Sequence, residues 1–169
     1  MKNILVLVLL TFTLSLCGQK SSNAFVTRVV DGDTYVIQVN SYRGKETTLI
    51  VRLVNVDTPE IQFIPKRRPA QAYGHQAKDS VEALILNKQV GLLYYGKDRY
   101  NRVLAFVNIN GERLDEIILK RGWGWSSWEY HNQKQHKVGK VLEAKAREQK
   151  IGLWINPGAI HPYIYRTTD

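Results

Sequence analysis

The stretch TYVIQVNSYRGKETTLIVRLVNV, residues 34–56, sets the fold class. Thr34 to Val39 alternates, with Tyr35, Ile37 and Val39 on one face, the period-two pattern of a half-buried strand. Ser41 to Lys45 carries Arg43-Gly44 and reads as a turn. Thr47 to Val56 is apolar on both faces and reads as a central strand. Upstream, Phe25 to Val30 is a short β-rich run, and Asp31-Gly32-Asp33 is a turn signal. Together they predict a three-stranded meander with tight connections.

The pattern continues downstream. Ile61 to Pro69, with Lys66, Arg67 and Arg68, reads as an exposed basic loop. Tyr73 to Leu86 has a helical stripe of Ala77, Val81, Leu84 and Ile85. Gln89 to Tyr95 and Val103 to Ile109 read as strands joined by the polar turn Lys97 to Arg102. Leu114 to Lys120 reads as a helix that Gly122 ends, Trp123 to Lys137 as a loop, and Val138 to Lys150 as a helix with a stripe of Val138, Val141 and Leu142. Five short antiparallel strands within about 90 residues suit a small closed barrel, because closure removes exposed edges. The expected class is therefore α+β: a five-stranded OB-type β-barrel with three helices.

Length, 169 residues, suits one domain. The net charge of +9 favours polyanions such as nucleic acid or an anionic membrane surface. Met1-Lys2-Asn3 followed by the apolar run Ile4 to Leu16 has the pattern of an export signal, too short to span a bilayer as an ordinary helix. The expected organisation is a signal peptide over 1–23, a domain over 24–155 and an extension over 156–169. Cys17 is the single cysteine, so no intramolecular disulfide forms. Leu14-Ser15-Leu16-Cys17-Gly18 resembles a lipoprotein processing site, with Leu16 where a small residue is usual. Two outcomes fit: lipidation of Cys17, or its removal with a plain signal peptide cut after Ala24. The chain is expected to be exported (secreted, periplasmic or lipid-anchored) and monomeric, with the membrane reached only through an anchor at Cys17.

Three clusters carry chemistry: Asp31 to Thr34, Arg52 to Glu60, and Asp98 to Arg102. Each alone is compatible with turn or hairpin chemistry. Together they supply what phosphodiester hydrolysis needs. Cations must face the phosphoryl oxygens, water must become a better nucleophile, and a hard metal ion commonly assists both. Arg52 and Arg102 suit bidentate contacts to phosphate. Asp33 and Asp57 suit ligation of a hard cation, and Glu60 stands three residues beyond Asp57, near enough to orient or deprotonate water. His75, His131, His136 and His161 are scattered, which argues against zinc. Oxygen ligands point to calcium or magnesium. Arg52 and Asp57 lie on opposite faces of any regular strand, so a bend or bulge is required between about Asn55 and Asp57.

These motifs closely resemble those of the staphylococcal nuclease (thermonuclease) family. The ordered set is Asp31-Gly32-Asp33-Thr34, then Arg52-Leu53 with Val56-Asp57-Thr58-Pro59-Glu60, then Asp98-Arg99-Tyr100 with Arg102, Leu104 and Ala105. The resemblance covers about residues 25 to 154 and implies the nuclease barrel. It implies that Asp33, Asp57 and the Thr58 carbonyl bind Ca²⁺, that Glu60 is the general base, and that Arg52 and Arg102 bind the scissile phosphate. It also implies little sequence preference on DNA and RNA, with 3′-phosphate products. Arg99 and Tyr100 match positions near the bound nucleotide. Trp128 and Tyr130 lie where the family often carries base-stacking aromatics, and both stacking and packing on the barrel fit them, as for Trp123 and Trp125. Tyr35 stands where an aliphatic residue is usual, and Asn101 where glycine is usual. A binding module without catalysis would not need three carboxylates converging beside a polyanion, and an adhesive surface lipoprotein would need none of the motifs.

Overall fold

The structure is a computed structural model and describes residues 21–40, 44–61, 68–127 and 133–168. Cys17 and most of the expected signal segment lie outside these residues. Strands β1 (Ser21–Asp31), β2 (Thr34–Asn40) and β3 (Glu46–Leu53) form the meander, followed by a two-residue strand β4 (Val56–Asp57). Helix α1 (Gly74–Ile85) precedes β5 (Gln89–Lys97), β6 (Val103–Ile109) and the short β7 (Glu112–Arg113). Then come α2 (Leu114–Lys120), β8 (Trp125–Ser126), α3 (Gln133–Glu148), a 3₁₀ turn (Gly152–Ile155) and α4 (Pro162–Thr167).

The main sheet runs β3-β2-β1-β5-β6-β7, and β3 also pairs with β6, which closes a five-stranded barrel. The closing pair is parallel, with Arg52 opposite Leu104, whereas the sequence pattern suggested antiparallel strands throughout. The interior holds Val26, Tyr35, Ile37, Val51, Leu53, Val103, Ala105 and Val107. Ala77, Val81 and Ile85 bury the predicted stripe of α1, and Leu114, Ile118 and Leu119 of α2 complete the core.

Helix α3 starts at Gln133 rather than Val138, and its contact face also differs from expectation. Val138 and Val141 are exposed, while Gly139, Glu143 and Ala146 are buried. A methyl on Gly139 would sit 2.6 Å from Ser126 Oγ, so glycine lets the helix approach β8. Glu143 accepts the Ser126 amide at 2.8 Å and the Arg147 guanidinium at 2.9 and 2.7 Å. Of the expected stripe only Leu142 packs against the core, and a paired, buried charge stands beside it.

Two features shape the chain around the second and first motifs. The long strand predicted to run to Val56 stops at Leu53, because Asn55 takes a left-handed backbone with φ 69°. That is the bend required between Arg52 and Asp57. The buried Asn55 donates from Nδ2 to Asp115 on α2 at 2.8 Å, and β4 then pairs with β8. Tyr35 is wholly buried in the barrel, and its hydroxyl donates to the Gly32 carbonyl at 2.7 Å. A tyrosine in place of an aliphatic residue thus pins the Asp31–Asp33 turn from beneath.

Both features have measurable weight. Tyr35→Phe leaves a turn carbonyl without its donor and should lower the unfolding free energy by about 1–3 kcal/mol in denaturant titration. Asn55→Ala keeps φ positive at a cost of about 1–2 kcal/mol and removes the bond to Asp115. It should destabilise the protein more than Asn55→Gly, which accommodates the bend; equal losses would show that the hydrogen bond alone matters.

Candidate active site

The three motifs meet on one rim of the barrel. Thr34 pairs with Arg52 in the β2–β3 register, which sets the Asp31–Asp33 turn beside the end of β3. The Asp31 carboxylate accepts the Asp33 amide at 3.0 Å and so shapes the turn. Leu53 donates its amide to the Asp33 carbonyl at 2.8 Å. A methyl on Gly32 would sit 2.8 Å from Thr58 Oγ1, so the turn packs against Thr58 only because that residue is glycine. Thr58 in turn donates to Asp33 Oδ2 from its amide at 2.8 Å and from its hydroxyl at 3.0 Å.

Arg52 is buried, and its guanidinium is ion-paired with Asp33 through Nη1 and with Asp57 through Nη2, the latter at 2.9 Å. Glu60 follows at the mouth of α1. Its amide donates to Gln71 Oε1 at 3.1 Å, and its carbonyl accepts the Gln71 amide at 2.7 Å. A methyl on Gly74 would meet the Glu60 carbonyl at 2.5 Å. The buried Gln71 therefore fixes the backbone of Glu60, a positioning role that its polar side chain alone did not signal.

Arg102 enters from the β5–β6 hairpin. Asp98 accepts its amide at 2.9 Å and its Nε at 2.7 Å, while Arg102 Nη1 lies 3.5 Å from Thr34 Oγ1. Burial works against the Asp98 charge, but the bonds from Arg102 and the Tyr100 amide outweigh it and hold the carboxyl below its ordinary range. Asn101 has φ 61°, so the residue that replaces the usual glycine keeps the left-handed turn, which asparagine tolerates better than most. The ring of the exposed Tyr100 lies beneath both Arg99 and Arg102, at 5.0 and 5.6 Å.

The resulting cleft has a volume of about 530 Å³ and gathers Asp31, Asp33, Asp57 and Glu60 with Arg52, Arg99 and Arg102. It also receives Arg166 from α4, a residue the sequence reading did not single out. Arg166 Nη1 donates to Glu60 Oε1 at 2.6 Å and to Asp57 Oδ1 at 3.2 Å, and Nη2 donates to Asp57 Oδ2 at 2.9 Å. Nothing in the local sequence separates Arg166 from other surface arginines; its role comes from where the tail docks. Burial alone would raise the Asp57 pKa, but Arg52 and Arg166 outweigh it and hold it low. Glu60 goes the other way: burial raises its pKa, and Arg166 offsets that only in part.

Of the expected nucleotide-contacting residues, Arg99 and Tyr100 line the cleft. Trp128 and Tyr130 lie outside the described residues. Trp125 is buried and packs edge-on against Trp154 at 5.0 Å, and Trp123 is partly buried against the main core, so both serve packing.

Comparison with known proteins agrees with this arrangement. The family model described as staphylococcal nuclease homologue matches residues 50–156. An uncharacterized endonuclease of Escherichia coli is 34% identical over 142 residues, 83% of this chain and 82% of that protein. An uncharacterized endonuclease of Haemophilus influenzae is 30% identical over 169 residues, 99% of this chain and 86% of that protein. A thermonuclease of Staphylococcus hyicus is 33% identical over 133 residues, 78% and 75% of the two chains. With motifs, barrel and relatives in agreement, the chain belongs to the staphylococcal nuclease family and is a nuclease.

Proposed function

We propose that the chain is an exported, calcium-dependent endonuclease that hydrolyses phosphodiester bonds of DNA and RNA with little sequence preference and leaves 3′-phosphate ends. The observation that carries this reading is the convergence of Arg52, Asp33, Asp57 and Glu60 on one rim, with Arg102 held beside Thr34. The donor set fits a hard cation. Asp57 and Glu60 already hold the positive guanidinium of Arg166 between them, so these oxygens form a seat for positive charge. Among the described residues no three acidic, histidine or cysteine side chains form a ready metal cluster. Asp33, Asp57 and the Thr58 carbonyl would hold calcium, with water completing the shell, which suits the weak affinity of extracellular calcium modules. When bound, calcium supplies positive charge to the phosphoryl oxygens and acidifies water.

The protein's own groups account for the remaining chemistry. Arg52 and Arg102 present fork-shaped donors to the phosphoryl oxygens and stabilise the charge that develops on them. Glu60 takes a proton from the attacking water, and its raised pKa makes it a stronger base than an ordinary glutamate. The water oxygen bonds to phosphorus, the bond from phosphorus to the 5′ oxygen breaks, and that oxygen takes up a proton. Tyr100, exposed beside two arginines, offers a ring face to a base.

The N-terminal apolar run supports export. The mass of the mature N-terminus, measured on protein from cells, should show either a lipidated Cys17 as first residue or cleavage after Ala24, the latter removing the first four residues of β1 and the core residue Ala24; an intact Met1 would remove the export reading.

Digestion of plasmid and RNA should proceed with calcium and stop with a chelator. Glu60→Gln should lose roughly 10²-fold or more in kcat, and Arg102→Lys about 10²-fold, since lysine cannot reproduce the fork that Asp98 orients. Undiminished turnover in Glu60→Gln would remove it as the base.

A further inference from the structure

The segment beyond residue 156 lies past the part of the chain that the family model matches, yet it reaches the centre of the cleft. Its docking is specific. His161 Nδ1 accepts the Tyr163 amide at 3.1 Å and caps α4, and the His161 ring lies 5.4 Å from that of Trp125. Gln71 Nε2 donates to the Ile160 carbonyl at 2.5 Å. Arg68 donates to the carbonyls of Tyr165, at 2.5 Å, and of Thr168, and Tyr165 returns its hydroxyl to the Pro69 carbonyl at 2.7 Å. The tail is thus tied to the segment Arg68–Gln71 that also holds the Glu60 backbone.

This docking places a guanidinium on the oxygens that the calcium reading needs. Arg166 takes both carboxylate oxygens of Asp57 and one of Glu60. With Arg52 on the other side, Asp57 is enclosed by two arginines. Burial works against the Arg166 charge, but the bonds to Asp57 and Glu60 outweigh it and raise its pKa above the ordinary arginine value, so the guanidinium remains charged at any accessible pH. A divalent cation and this guanidinium cannot share the same lone pairs, and at about 4 Å two positive charges repel strongly in a partly desolvated site.

We propose that Arg166 is a built-in counter-ion of the active site: it positions Asp57 and Glu60 in the cation-free enzyme, and calcium binds only by displacing it. The proposal rests on the calcium reading above. Two consequences follow from it. The apparent dissociation constant for calcium is the intrinsic constant divided by the fraction of molecules whose tail is undocked. The docked form also occupies the carboxylate that would take the proton, so cation entry and release of Glu60 become one event.

Calorimetric calcium titration of the full chain tests this without reference to turnover. If the tail is docked in about nine molecules of ten or more, Arg166→Ala should lower the calcium dissociation constant at least about tenfold. Arg68→Ala, which loosens the tail away from the site, should shift it in the same direction by less. In chelator, Arg166→Ala should also melt at a lower temperature than the parent, and added calcium should raise its melting temperature by more than it raises the parent's. Equal or weaker calcium binding in both variants overturns the exchange while leaving the calcium reading intact. Calcium binding by none of the three proteins overturns both. If Arg166→Ala does not fold, Arg68→Ala decides alone.

Discussion

The pairing of Arg52 with Asp33 and Asp57 is the constraint on which the rest of the site depends. All three side chains are buried, and a buried ion is tolerated only when paired and hydrogen-bonded. Arg52 is on β3, Asp33 in the turn just before β2 and Asp57 on β4, so one guanidinium fixes three chain segments. Removing one partner from such an arrangement typically costs about 3–5 kcal/mol, because the other charges stay buried without compensation. The barrel meets this requirement in its backbone. Closure through β3 and β6 brings the Arg102 hairpin to the same rim, and the left-handed Asn55 turns Asp57 back toward Arg52.

Much of this was legible in the sequence, for identifiable reasons. On β2, Tyr35 and Ile37 are buried and Val39 packs partly buried against the same core, so their alternation reads correctly. The boundary at Leu53 does not, because Val54 and Val56 are both apolar and both buried, though in different places. Val54 packs with Leu104 and Phe106, while Val56 joins the main core. Two destinations for apolar residues two apart look like one continuous strand. The start of α3 was hidden by the polar run Gln133 to Lys137, which shows no apolar stripe. Helix α4 has six residues and draws its order from Arg68, Gln71 and Trp125, far away in the chain. A local pattern carries no trace of such contacts.

The departures from the family pattern prove to be local solutions to the same geometry. Asn101 supplies the positive φ that glycine would, and its side chain accepts Lys97 Nζ at 2.8 Å across the hairpin. Tyr35 keeps an apolar ring in the core and adds a hydrogen bond to the turn that carries Asp33. Such substitutions preserve the backbone position of the functional residue, which is what the chemistry requires. This is why the motif could be read through them.

Charge balance connects the tail to the reaction. Asp33 and Asp57 share one buried arginine, Glu60 stands in the same cleft, and Asp31 is close enough to raise the pKa of Glu60 further. Left with Arg52 alone, the cluster would carry excess negative charge in a poorly solvated place, where carboxylates repel each other and lose their fixed geometry. Some positive group has to complete it. In this structure the group is Arg166, supplied by the chain itself. During turnover the incoming phosphodiester brings more negative charge, and a single delocalised positive charge bound to the carboxylates cannot also neutralise it. A divalent cation held by Asp33 and Asp57 would supply the larger charge that serves both. On this balance the guanidinium suits the resting enzyme and the divalent ion suits the loaded one. Under the proposed exchange, docked α4 holds the first and its release admits the second.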